Sequence, residues 1–152
     1  MLFPGGTIYT AEEIMRFLTI ITGAVLAASL ASPVLAQSAD VDAGKKVFNK
    51  CRACHAIGPG ATNKVGPELN GVVAEPVATA EGYSFSPALK KFAEANPNWT
   101  DALLTQWLTD PKKLVPGTKM AFPGLKKPEE ITAVIAYLKS FDEAGAAAAP
   151  AN

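Results

Sequence analysis

Histidine and cysteine are nearly absent from this 152-residue chain, which contains one His and two Cys. That scarcity argues against a structural zinc site, which needs four closed nitrogen or sulfur ligands. Excess charge is missing too: 14 basic residues face 14 acidic ones, and from Gln37 onward the charges nearly balance. A nucleic-acid binder would leave a basic footprint that this composition lacks. No stretch alternates convincingly enough for a strand. The one long apolar run, Phe17 to Leu30, is shorter than the roughly 20 residues that span a bilayer. The length sets a prior of one domain.

What is present divides the chain into segments. Arg16, the apolar run and Pro33-Val34-Leu35-Ala36-Gln37 together form a secretory signal, with small residues Val34 and Ala36 flanking the cleavage point. Cleavage is expected after Ala36, which places the mature protein in the periplasm. The competing reading is an uncleaved N-terminal membrane anchor extending through Ser32 and Pro33 to Leu35. Glu12 and Glu13 put negative charge where a signal needs positive charge. Residues 1–14 are therefore expected to lie upstream of a true start at Met15, with 15–36 the signal, 37–141 the folded domain and 142–152 an Ala-rich disordered tail.

The two cysteines and the histidine are not scattered. They form Cys51-Arg52-Ala53-Cys54-His55, and C-x-x-C-H is the pattern to which a haem is covalently attached. Thiols at i and i+3 share one side of a helical turn, so Cys51 and Cys54 can each tether a vinyl group while His55 ligates the iron. A thioredoxin-like dithiol is the alternative, but that motif should follow a strand, whereas Ala43 to Lys50 reads as helix.

The rest of the chain reads as all-α. A first helix begins near Asp40 or Asp42 and carries Val47 and Phe48 on its apolar side into the motif. Pro59, Gly60, Gly66, Pro67 and Gly71 enforce a loop. Ser86-Pro87 starts a short second helix that Asn96-Pro97-Asn98 ends. Thr100 or Asp101 caps a third, with Leu103, Leu104, Trp107 and Leu108 on one face and Pro111 closing it. Lys127-Pro128-Glu129-Glu130 starts the last helix, whose stripe is Ile131, Val134, Ile135 and Leu138. So little apolar sequence makes a marginal core for a small domain. A haem buried among Phe48, Leu69, Trp99, Trp107, Leu108, Phe122 and Leu138 would supply its centre. The second iron ligand is expected from Pro116-Gly117-Thr118-Lys119-Met120-Ala121-Phe122, because Met1 and Met15 fall outside the mature domain and Met120 is the remaining thioether. Lys45, Lys46, Lys50, Lys112, Lys113, Lys119, Lys126 and Lys127 bracket these two segments. Lys50, Lys112, Lys113, Lys119, Lys126 and Lys127 are the expected partner-docking residues.

These segments, in order from Asp42 to Ser140, resemble the class I c-type cytochromes, near the mitochondrial type and its small soluble bacterial relatives. The resemblance is carried by Gly44-Lys45-Lys46-Val47-Phe48, the Cys51 to His55 motif, Gly66-Pro67-Glu68-Leu69-Asn70-Gly71, Gly82-Tyr83-Ser84-Phe85, Trp99, Asp110-Pro111-Lys112-Lys113, Pro116 to Met120, and Ile135-Ala136-Tyr137-Leu138-Lys139. It implies the cytochrome c fold: four or five short helices and long loops wrapped around one covalent haem c, with the terminal helices crossing at Gly44 and Tyr137. It further implies that His55 and Met120 are axial ligands, that the Pro67 carbonyl accepts the imidazole proton, that Thr118 holds the methionine side, and that Trp99 sits near a propionate. Two residues depart from the family pattern. Glu75 stands where an arginine often supports a propionate, and Phe85 where a tyrosine often donates.

The implied activity is that of a soluble, monomeric one-electron carrier rather than an enzyme, since His and Met together leave no open iron position. The implied partners are redox proteins with acidic faces: a quinol-cytochrome c reductase, a terminal oxidase, a photosynthetic reaction centre or a periplasmic dehydrogenase. Membranes enter only through those complexes. A peroxidase or gas sensor in which Met120 does not ligate, and a haem-free dithiol oxidoreductase, are the competing functions.

Overall fold

The computed structural model describes residues 33–73 and 75–148. The proposed leader, apart from 33–36, and residues 149–152 lie outside the described residues. The unit that carries the C-x-x-C-H motif is Val34–Asn152. Its helices are α1 (Pro33–Phe48), α2 (Pro87–Ala95), α3 (Asp101–Thr109), α4 (Pro111–Leu114) and α5 (Pro128–Lys139). Between them run long loops, and among the described residues β structure is limited to the isolated bridges Pro76↔Asn98 and Phe141↔Ala147.

Local chemistry sets most of the boundaries. The Ser86 hydroxyl accepts from Leu89 N–H at 3.1 Å, with Pro87 in the first turn of α2. Thr100 does the same for Leu103 at 3.2 Å at the start of α3. Such caps satisfy amide protons that the helix itself leaves without acceptors. Pro111 ends α3 as expected, but it also opens α4, for which the Asp110 carboxylate accepts from Lys113 N–H at 3.1 Å. α1 begins at Pro33 rather than at Asp40 or Asp42. Nothing from Val34 to Val41 breaks a helix, and proline is tolerated in a first turn.

The terminal helices cross where a glycine permits it. A Cβ on Gly44 would collide with the Ala133 carbonyl of α5 and come within 2.6 Å of Tyr137 Cβ. Beside the crossing, the Phe48 and Tyr137 rings lie 5.3 Å apart. α5 buries Ile131, Ala133, Val134, Ile135 and Leu138, while α3 contributes Leu104, Trp107 and Leu108. Val77, Val115 and Leu125 complete the core from loops.

The tail differs from expectation. Rather than being disordered from residue 142, it folds back as far as Ala148: Asp142 N–H donates to Ala146 O at 3.0 Å, and Ala148 N–H to Ser140 O at 2.9 Å. Gly145, at φ +76°, packs on the Gly58 carbonyl, where any Cβ would collide. Asn70 lies buried behind it, accepting from Gly58 N–H at 2.7 Å and donating to Gly58 O at 3.2 Å. These bonds and the close glycine contact explain why an alanine-rich sequence stays ordered there. The same clasp fixes the loop that follows the C-x-x-C-H motif.

Candidate haem site

The motif continues α1 by one turn. Cys51 and Arg52 N–H groups donate to Phe48 O, and the Cys54 and His55 N–H groups both donate to Cys51 O at 3.0 Å. Cys51 is half-buried, Cys54 exposed, and both thiols are free. Burial pushes the Cys51 thiol up to about 11, outweighing the lowering influence of Lys50. A dithiol oxidoreductase needs a low-pKa nucleophilic thiolate, and a protonated, half-buried Cys51 is the opposite arrangement. Among the described residues no three His, Cys, Asp or Glu side chains gather to hold a metal.

His55 is fixed by its neighbours. Its Nδ1 lies 2.7 Å from the Pro67 carbonyl, so Nδ1 carries the proton and Nε2 keeps its lone pair. Burial, and secondarily Lys64, lower the imidazole pKa against the raising effect of the Pro67 bond. A neutral ring is the form that ligates, and an oriented second nitrogen is what positions it. Gly66 touches the ring: a Cβ there would be 2.8 Å from both Nδ1 and Nε2.

His55 opens onto a cleft of about 300 Å³ that draws walls from α2, α3, α5 and the loops. All seven apolar residues expected around a haem, Phe48, Leu69, Trp99, Trp107, Leu108, Phe122 and Leu138, line it. So do Cys51, Cys54, Pro67, Thr118 and Met120. Trp99 is buried, 5.4 Å from Trp107 and inclined at 49° to it. It is pinned by its own N–H donating to Glu75 O at 2.8 Å.

Met120 arrives on a loop held at several points. Gly117 turns it at φ +90°, and the Thr118 hydroxyl accepts from Met120 N–H at 3.2 Å. Lys119 Nζ donates to Ser84 O at 2.6 Å. Leu125 N–H donates to Leu108 O at 2.8 Å, closing the loop onto α3. A thioether on a pinned loop, facing the same cleft as a neutral imidazole and two tether thiols, is a donor set that fits an iron porphyrin.

The lysines divide. Lys50 pairs with Glu130 at 2.7 Å, Lys119 is engaged with Ser84, and Lys126 donates to Thr109 O and Pro123 O. Lys112, Lys113 and Lys127 are exposed and make no side-chain bond within the described residues. Of the two departures, Phe85 is half-buried with its ring edge-on to Tyr83 at 4.8 Å, and Tyr83 commits its hydroxyl to Val65 O at 2.9 Å. Glu75 lines the cleft. Burial, then Glu143, then Glu68 raise its pKa. The contribution of Glu143 was not legible in the sequence, because it comes from the tail.

A model of the Cytochrome c family matches residues 41–142. Cytochrome c2 of Afifella marina is 49% identical over 105 residues, covering 69% of this chain and 85% of that protein. Cytochrome c-550 of Nitrobacter winogradskyi is 49% identical over 106 residues, covering 70% and 94%. The solved structure of cytochrome cH from Methylobacterium extorquens superposes with a TM-score of 0.60 at 50% identity, covering 66% of this chain and 98% of that one.

Proposed function

The chain belongs to the cytochrome c family, and from that premise we propose that Cys51 and Cys54 tether its haem c while His55 and Met120 ligate the iron. The protein is an electron carrier with one covalently attached haem c. One observation carries the ligand assignment: a neutral imidazole oriented by Pro67 and a thioether on a pinned loop line one apolar cleft. The bound group supplies a one-electron iron couple. The chain does the rest. Pro67 fixes the imidazole tautomer, Thr118 holds the Met120 backbone, and the aromatic and aliphatic walls exclude water. Close packing limits rearrangement when charge changes by one unit. With His55 and Met120 both holding the iron, no coordination site would remain for substrate, so the chain would carry electrons rather than turn substrate over.

Exposure of the holoprotein to oxidant and then dithionite tests this directly. Haem retained on a denaturing gel, sharp reduced bands and a weak far-red sulfur-to-iron band in the oxidised form are expected. A high-spin haem would make the peroxidase or sensor reading correct instead, and no haem would return Cys51 and Cys54 to dithiol chemistry.

We further assign the protein to the periplasm, as a monomer, with cleavage after Ala36. That cleavage would remove residues 33–36 from α1 and leave Asp40 or Asp42 to cap the shortened helix. No described helix is long and apolar enough to cross a membrane. The partners we propose are acidic redox proteins, met by Lys112, Lys113 and Lys127. Lys50, Lys119 and Lys126 contribute less, since their ammonium groups are already engaged. Association should slow by roughly tenfold or more as ionic strength rises from about 0.01 M to 0.5 M, because steering is screened. Stopped-flow electron transfer reads this, and Lys113→Ala should flatten the salt dependence more than Lys50→Ala. A salt-independent rate would remove the docking role.

A further inference from the structure

Glu75 is a carboxylate on the wall of a cleft that is otherwise mostly apolar. Its backbone is fixed, since its carbonyl accepts from Trp99 N–H at 2.8 Å and its neighbour Pro76 bridges to Asn98. Its side chain is crowded. A Cβ on Gly71, which sits at φ +64°, would lie 2.7 Å from Glu75 Oε1 and 2.9 Å from Glu143 Cγ. The missing side chain at Gly71 therefore leaves room for the side chains of Glu75 and Glu143, from distant parts of the chain, on the two sides of it.

The charges around Glu75 are mostly of its own sign. Glu143 and Asp142 of the C-terminal turn share a surface groove with it. Glu68 acts on it from the loop after Pro67. Lys50, Lys119, His55 and Tyr83 also line the cleft, but Lys50 is paired with Glu130 and Lys119 with the Ser84 carbonyl. No cation forms an ion pair with Glu75 among the described residues. Burial, Glu143 and Glu68, in that order, hold its carboxyl above the ordinary value of 4.5.

We propose that Glu75 is a redox-linked proton site, binding one proton when the haem iron is reduced and releasing it on oxidation. The inference rests on the reading of this cleft as the haem site. When the donor protein gives the haem one electron, the Glu75 carboxylate would take one proton from solvent, so the charge of the cleft would be conserved. Oxidation runs both transfers backward. The physical cause is Coulombic: the oxidised iron carries one more positive charge, which favours the ionised carboxylate, and a nearby opposite charge lowers an acid's pKa. Linkage makes the effect reciprocal, so protonation of Glu75 must favour the reduced iron.

Spectroelectrochemical midpoint potentials of the holoprotein, taken from about pH 4 to 9, test this against Glu75→Gln and Glu143→Gln. The wild-type potential should fall with pH through the window between the oxidised-state and reduced-state pKa of Glu75, with a limiting slope of about 59 mV for each tenfold change in proton concentration. Glu75→Gln should be flat across that window. Glu143→Gln should keep the slope but move it to lower pH. A slope that survives in Glu75→Gln would assign the proton to another group, such as the haem's own carboxylates, and overturn the proposal, as would a flat wild-type profile. A protein without a reversible one-electron couple would overturn the haem reading as well.

Thermal unfolding of the reduced protein gives a second readout. The raised folded pKa means that Glu75's contribution is fully present below 4.5 and is lost as pH rises through the folded value. Glu75→Gln should therefore match the wild type at low pH and melt higher above the window. No divergence between the two melting profiles would overturn the proposal.

Discussion

Met120→Ala is expected to abolish the far-red sulfur-to-iron band and to lower the midpoint potential on the order of 0.1 V or more, within the roughly 0.8 V that axial ligation spans. A methionine ligand raises the potential relative to stronger donors, so its loss, with water or nothing in its place, moves the couple downward. The fold should survive. Met120 is only half-buried, and its loop stays pinned through Leu125, Lys126 and Gly117. Truncation there should cost about 2 kcal/mol, the low end for removing a methionine side chain. Far-ultraviolet circular dichroism near that of the wild type, together with a changed haem spectrum, separates ligand loss from unfolding. An unchanged oxidised spectrum would mean that another group ligates the iron. Met120 is the only methionine within the described residues, so the assignment would then pass to a non-thioether donor.

The sequence carried this site because its chemistry is local. Cys51, Cys54 and His55 fall on one turn whatever the rest of the fold does, and Ser86, Thr100 and Pro128 are caps or first-turn residues that act on amides within a few positions. Features that depend on distant packing were less visible. Val77, Val115 and Leu125 are core residues inside loops, where no period marks them. Lys50 looked like a free docking charge, yet Glu130, eighty positions away, neutralises it. Asp110 followed by proline reads as a stop, although the same carboxylate caps a new turn. The ordered tail was hidden for the same reason. Alanine and glycine composition suggests disorder, while the contacts that order residues 142–148 are made with Gly58, Asn70 and Gly71.

Gly66→Ala should be among the most damaging small substitutions in the domain, despite adding one methyl group at a position with an ordinary backbone. The methyl would meet Cε1, Nδ1 and Nε2 of His55 at distances that real Cβ atoms do not adopt. Neither side can yield freely. The ring is held by Pro67 O at 2.7 Å, and Gly66 donates its N–H to Cys54 O and accepts from Lys64 N–H, each at 2.8 Å. If the loop moves, it carries the Pro67 carbonyl away. If the ring moves, Nε2 turns from its place in the cleft. Overpacking of this kind costs about 1–3 kcal/mol, and loss of the Nδ1 bond adds about 1 kcal/mol. At roughly 4–8 °C per kcal/mol for a domain of this size, the melting temperature should drop by about 8–32 °C, and the haem spectrum should change with it. Gly60→Ala is the control. Gly60 has φ +72° but nothing within 4 Å of its Cβ position, so it should lose only about 1–2 kcal/mol and leave the spectrum intact. A Gly66→Ala protein that melts with Gly60→Ala and keeps the wild-type spectrum would show that the 64–67 loop gives way without cost. The held imidazole would then not be what positions the ligand.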